Sequence, residues 1–172
     1  MKIQYKIVIL FVILVLLFLA FGRALLKDKT YQPTEMVGKK VPNIILNDFN
    51  NKNKKISLVN LTNNNFVVIN IWSSWCIPCK EENYFLLKIK KNSKINILGI
   101  NYKDQHTNAL KFLKDFGNPF NLIASDTLGE ASIQLGAYGV PETFVVKNGI
   151  IVAKFLGPIN EEITDTILNL SK

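Results

Sequence analysis

The longest apolar feature lies at the start of the chain, where Ile7 to Phe21 (IVILFVILVLLFLAF) is hydrophobic without a break. No polar face recurs along it, so a helix built from it has nothing to show to water and makes a poor core helix of a soluble protein. Extended to Leu26, the run reaches the roughly 20 residues that span a hydrocarbon layer. Its single charge, Arg23, is near the end, where the long stem lets the guanidinium reach the interface. Residues 1–26 are therefore expected to form a membrane anchor of the signal-anchor kind, although Ala20-Phe21-Gly22 has a faint likeness to a cleavage site. Lys2 and Lys6 favour a cytoplasmic start, and Arg23, Lys27 and Lys29 oppose it from the other flank.

Residues 27–40, with Pro33, Gly38 and no sustained period, read as a tether, and the folded domain is expected over 41–172. Two apolar runs, Ile44 to Leu46 and Ile56 to Val59, flank the polar stretch Asn50–Lys55 and predict two strands joined by a solvated loop, an N-terminal hairpin. Phe66 to Trp72 (FVVINIW) is β-branched and continuous, as suits a buried central strand. Glu81 to Lys91 follows as a helix with an acidic start and a basic end, matching the dipole. The order repeats with a strand over Ile95–Asn101 and a helix over Thr107–Phe116, whose Ala109, Phe112, Leu113 and Phe116 recur at helical spacing before Gly117 and Pro119 close it. Leu122–Ala124 predicts a minor strand and Leu128–Leu135 a short helix. Thr143–Val146 and Ile150–Leu156 flank Asn148-Gly149, a strong type I′ hairpin signal. Asn160 is placed to cap a last helix over Glu161–Leu170. Parallel βαβ units followed by a hairpin and a helix make an α/β fold, a mixed sheet flanked by helices.

Composition changes this picture little. The chain has 172 residues, of which 48% are hydrophobic, enough for one domain with a core. The formal net charge of +8 invites a nucleic-acid reading, with Asn50–Lys55 (NNKNKK) as the best patch. That patch is better read as the hairpin loop, and the lysines and asparagines are scattered without stacking aromatics. No nucleic-acid partner is expected.

Chemistry concentrates in Trp72–Lys80, WSSWCIPCK, which contains both cysteines of the chain. A structural disulfide closing so short a loop restricts the unfolded chain by only roughly 2 kcal/mol before strain, a poor staple. A closed zinc site needs four ligands, and apart from these two sulfurs the chain offers only a distant histidine, His106, expected to face solvent. Covalent haem attachment needs a histidine directly after the second cysteine, where Lys80 stands. A redox couple remains. Cys76 falls at the helix start, where free N–H groups and the dipole favour a thiolate, so it is the expected attacking sulfur. Cys79, one turn inside, is placed to resolve the mixed disulfide. Pro78 costs little in the first turn, whose N–H groups lack intrahelical partners.

WCIPC after an apolar strand, with Val140-Pro141 far downstream at the start of another strand, resembles the thioredoxin fold, in which a cis-proline loop faces the cysteine pair. A closer likeness runs through Gly38–Pro42, Trp72–Cys79, Asn101–Asp104 (NYKD), Gly117–Phe120 and Gly136–Phe144 (GAYGVPETF). In that order, behind a membrane anchor, these resemble the thiol:disulfide interchange proteins of cytochrome c maturation, the CcmG/DsbE type. The resemblance implies a periplasmic domain held at the bacterial inner membrane by a single pass. A transmembrane electron-donor protein would keep it reduced, and it would reduce apocytochrome c or a partner thiol protein before haem attachment. It also implies exchange through Cys76 and Cys79 with no bound cofactor or metal, a cis Val140–Pro141 bond, and substrate docking along Trp75, Val140 and Pro141.

Two carboxylates enter as tuning residues. Thioredoxins carry a buried aspartate six positions before the first cysteine, where this chain has Asn70, which can neither take nor give the proton. Glu142, after the expected cis-proline, is the first candidate to replace it, disfavouring the Cys76 thiolate and exchanging protons with Cys79. Glu82 also matches the family's acidic residue after the second cysteine, and is equally explained as a first-turn carboxylate answering the helix dipole. Acidic neighbours suit a reductant. Two other functions compete: a cell-envelope oxidase that forms disulfides, and a redox-inactive module that binds the apocytochrome.

Overall fold

The computed structural model describes residues 2–26, 35–92 and 95–172, in two units, 1–32 and 33–172. The described residues of the first unit form one helix, α1 (Lys2–Leu26). Within it Tyr5–Arg23, 19 residues, is long and apolar enough to cross a membrane. At 1.5 Å per residue that stretch is about 28 Å long, close to the thickness of a hydrocarbon core. Its side chains from Ile7 to Leu19 are exposed on every side of the helix. Most of the expected tether, residues 27–34, lies outside the described residues.

In the second unit the elements follow in the order β1 (Ile45–Asp48), β2 (Lys55–Ser57), α2 (Leu58–Thr62), β3 (Phe66–Trp72), α3 (Ile77–Lys90), β4 (Asn96–Tyr102), α4 (His106–Phe116), β5 (Leu122–Asp126), α5 (Glu130–Gln134), β6 (Glu142–Lys147), β7 (Ile150–Leu156) and α6 (Glu161–Leu170). The strands make one sheet in the order β2-β1-β5-β4-β3-β6-β7. β3, β4 and β5 are parallel neighbours, while β6 pairs antiparallel with β3 and β7 antiparallel with β6, so the sheet is mixed as the pattern predicts. β1 and β2 form the N-terminal hairpin and join β5 antiparallel. Residues just before Val41 also belong to this sheet, since Gly38 donates to the Ile151 carbonyl and Ile151 to that of Lys39.

Two local features depart from the sequence pattern. The run after Ile56 does not continue as a strand, because the Ser57 hydroxyl caps α2 by accepting from the Asn60 N–H, turning Leu58 and Thr62 inward. α3 starts at Ile77, before the acidic pair, with Cys76 as its cap. Elsewhere local chemistry gives the expected turns. Asn148 and Gly149 both have positive φ, as a type I′ hairpin requires. Asn160 accepts from the Ile163 N–H to cap α6.

Alternation along the strands sorts the core into two layers. Val68, Trp72 and Val145 face one side with Leu86, Ile89, Phe112 and Ile167. Val67, Ile69, Ile71, Phe144 and Val146 face the other with Leu58, Leu135 and Ile151. Gly99 is required where β4 passes under the aromatic cluster, since a Cβ there would lie 2.7 Å from the Phe120 ring. That gap lets Trp72 pack its ring 5.2 Å from Phe120 and Phe112 directly below the cysteine turn.

Candidate active site

β3 delivers the chain to Ser73–Trp75 and then to α3, where Cys76 and Cys79 are joined by a disulfide with their Cα atoms 5.3 Å apart. Cys76 is the N-cap, its Sγ accepting from the Cys79 N–H at 3.1 Å, and Pro78 sits in the first turn where its missing donor costs nothing. Both cysteines belong to the core layer beneath α3, whereas Trp75 and Ile77 beside them are 57% and 73% exposed. The pair is thus reached past a rim of exposed apolar side chains.

The link before Cys76 is tied down by the β4–α4 loop. Ser73 donates its hydroxyl to the Tyr102 carbonyl. The Asp104 carboxylate accepts from the Ser74 N–H at 2.6 Å and the Ser74 hydroxyl at 2.7 Å, as well as from Asn101 and the Gln105 N–H. The Trp75 indole N–H donates to the Lys103 carbonyl at 3.1 Å. The sequence contained this loop as Asn101–Asp104, with no task assigned. An Asp just ahead of a helix is ordinary capping chemistry, and Ser74, which accounts for two of its hydrogen bonds, lies 30 positions away.

Behind the cysteines lies a buried polar cluster. Glu82, 1% exposed, stands one turn after Cys79 on the same helix face. Its carboxylate accepts from Asn70 Nδ2 at 2.8 Å and from the Ile159 N–H at 2.9 Å. Asn70 also donates to Thr143 Oγ1 at 3.1 Å, and its own Oδ1 is buried without a hydrogen bond. Burial raises the Glu82 pKa to about 7, outweighing the two hydrogen bonds that favour the carboxylate. Glu82 is therefore partly protonated at neutral pH.

The Val140–Pro141 bond is cis, as the sequence suggested. Because β6 runs antiparallel to β3, the residues leading into β6 lie at the end of the sheet where β3 hands over to Cys76. Glu142 does not join the cysteine cluster. It lies opposite Ile71 in the register, on the face of Phe144, while its neighbour Thr143 lies opposite Asn70 on the cysteine face. Its carboxylate accepts from the Tyr138 and Gly139 N–H groups and pairs with Lys154 at 3.2 Å. Strand alternation turns Glu142 to the face away from Asn70 and Thr143, against the expectation that it acts directly on the cysteines, and Glu82 is the carboxylate buried on the Asn70 side. Among the described residues no group of three or more His, Cys, Asp or Glu side chains is placed to hold a metal.

Residues 36–169 match the family model described as Redoxin. The chain belongs to the redoxin family. Among its redoxin relatives, it is 34% identical over 158 residues to the thiol:disulfide interchange protein DsbE of Escherichia coli K12, covering 86% of this chain and 85% of that one. The DsbE-2 relative of Pasteurella multocida is 34% identical over 157 residues, 91% of this chain and 80% of its own. Over 92 residues, about half of either chain, it is 45% identical to the thiol:disulfide interchange protein CycY of Rhizobium leguminosarum. In structure it is similar to a secreted thiol-disulfide isomerase of Corynebacterium glutamicum, with TM-score 0.67 and 26% identity over 76% of this chain and 84% of that one. The thioredoxin domain of a Bacteroides vulgatus thiol-disulfide oxidoreductase shares the fold at TM-score 0.67 and 20% identity, covering 79% of this redoxin and 98% of that chain. The fold is thioredoxin-like, and the protein is a thiol:disulfide oxidoreductase that acts on thiol proteins.

Proposed function

We propose that this oxidoreductase is a membrane-anchored reductant in cytochrome c maturation, with α1 as a single-pass anchor and residues 41–172 outside the cytoplasm. The observation that carries the reductant assignment is the buried Glu82 behind a cysteine pair at a helix start. A carboxylate there opposes accumulation of negative charge on sulfur, and a poorly stabilised thiolate gives up its electrons readily. A disulfide-forming oxidase needs the opposite, a stabilised reduced form. The DsbE relatives support the cytochrome c role.

The reaction runs in two exchanges. The Cys76 thiolate attacks one sulfur of the substrate disulfide, forming a mixed disulfide and releasing a substrate thiolate that takes a proton. The Cys79 thiol then gives its proton to Glu82 and attacks Cys76, which closes the Cys76–Cys79 disulfide and releases the second substrate sulfur as a thiolate that takes a proton from solvent. Two electrons pass from the dithiol to the substrate disulfide. A transmembrane electron-donor protein returns the pair to its dithiol form. Trp75 and the main chain of Val140 and Pro141 receive the substrate as an extended segment, which gives affinity with little sequence demand.

Replacing Cys79 with Ser in the full-length chain stalls the reaction at the mixed disulfide on Cys76. The expected catch is an apocytochrome c with reducible cysteines, or a thiol protein of its maturation, and the reduction potential is expected on the reducing side of the superfamily. Capture of unrelated secreted proteins in their thiol form, with an oxidising potential, would establish the oxidase instead. Binding of apocytochrome undiminished by loss of both cysteines would establish the binding module.

A further inference from the structure

On the sheet face away from the cysteines, Glu142 and Lys154 form an ion pair that the exchange chemistry does not use. Their side chains are 3% and 1% exposed. Apart from the Phe144 ring, 5.3 Å from Lys154 Nζ, the partners of the pair belong to one loop. Lys154 Nζ donates to the Gly136 carbonyl at 2.7 Å and lies 4.3 Å above the Tyr138 ring. Glu142 Oε1 accepts from the Tyr138 N–H at 2.5 Å and the Gly139 N–H at 2.9 Å. Buried charges are expensive to hold, and removing one leaves the other uncompensated, so the loop is coupled tightly to the integrity of the pair. Val140 differs from its neighbours, since none of the loop's main-chain hydrogen bonds uses its N–H or carbonyl.

We infer that Lys154 is a positioning residue which, through Glu142 and the Tyr138 ring, holds residues 138–140 in the conformation that docks substrate. The inference rests on the reading that the Val140 main chain receives the substrate strand. Lys154 lies opposite Phe144 in the β6–β7 register, on the Glu142 face and across the sheet from Glu82 and the cysteines. Its loss should therefore weaken docking and leave the sulfur chemistry intact. A loop that occupies its docking conformation only a fraction of the time weakens apparent affinity by that fraction.

The test compares the full-length chain in detergent with its Lys154→Met variant on two substrates, insulin as a protein disulfide and hydroxyethyl disulfide as a small one. If the ordered loop falls to about a tenth of the population, KM for insulin rises about tenfold with kcat nearly unchanged. Reactivity toward the small disulfide and the pH profile of Cys76 alkylation should not change. Adding Glu142→Gln removes the stranded charge and keeps the acceptor for both amides, so the double variant should recover part of the lost KM. An unchanged KM, or an equal loss on both disulfides, overturns the role of Lys154. Amide exchange on the Cys79→Ser adduct with insulin separates the two layers of the reasoning. Absence of added protection at the Val140 amide defeats the docking reading itself, whereas added protection there with an unchanged KM in Lys154→Met defeats only the positioning role.

Discussion

Replacing Glu82 with Gln should make the oxidised protein more stable at alkaline pH and abolish a pH dependence that the natural chain carries. Glu82 is raised from an ordinary 4.5 to about 7 by burial. The folded protein therefore keeps its proton where the unfolded chain has already lost it, so this group favours unfolding as pH rises. Its contribution is nil below 4.5, grows between 4.5 and 7, and is constant above. At 1.36 kcal/mol per pH unit the full loss is about 3 kcal/mol, a large part of a domain's stability. Gln has no such proton, keeps an acceptor for the Ile159 N–H, and brings a donor within reach of the unpartnered Asn70 Oδ1 once that amide turns over. Urea unfolding of full-length natural and Glu82→Gln chains in detergent, with Cys76 and Cys79 oxidised, measures the difference. It should be near zero at pH 4 and approach about 3 kcal/mol in favour of the variant at pH 8, less any mismatch in the new hydrogen bonds. Parallel pH profiles for the two chains would refute the burial of an ionisable Glu82 as the cause.

Cys76→Ser should abolish exchange outright, while Cys79→Ser should still attack and accumulate mixed disulfides on non-reducing gels; equal trapping by either variant would contradict the division of labour. Asp104→Ala leaves the Ser74 and Asn101 donors without their acceptor and should cost about 1–3 kcal/mol in chemical unfolding, with slower exchange because the turn before Cys76 loosens. A reporter enzyme active only outside the cytoplasm, fused after Lys172, should be active and remain in the membrane fraction. A soluble mature form beginning near Arg23 would instead identify α1 as a cleaved signal.

Much of the fold was legible because the chain punctuates itself. FVVINIW is apolar at every position except Asn70, and β3 covers the same residues, buried beyond Phe66. Asn148-Gly149 and Asn160 carry their turn and cap in their own side-chain and backbone chemistry, so they needed no tertiary information. α2 was not legible, since Leu58, Val59 and Leu61 have the composition of a strand and a single hydroxyl, Ser57, decides for a helix. The Asp104 clamp was invisible for a different reason. Its sequence neighbours suggest a helix start, and Ser74 is brought to it only when β3 and β4 pair in parallel.

The two carboxylates show where local pattern stops. Glu142 adjoins the cis-proline, and nearness along the chain made it the first choice for the buried acid. In a strand, however, the next residue points to the other face, so adjacency to a site residue is evidence for the wrong side as often as the right one. The pairing decides. Asn70 lies on the cysteine face, its cross-strand partner is Thr143, and Glu142 must then face away, where Lys154 receives it. In a helix the rule differs, because residues three apart share a face. Cys76, Cys79 and Glu82 recur at that spacing, so Glu82 follows the cysteines inward wherever α3 is docked. Helical phase from Cys79 could have favoured Glu82 from the sequence alone, whereas the facing of Glu142 depended on a contact between residues 70 and 143 that no local pattern contains.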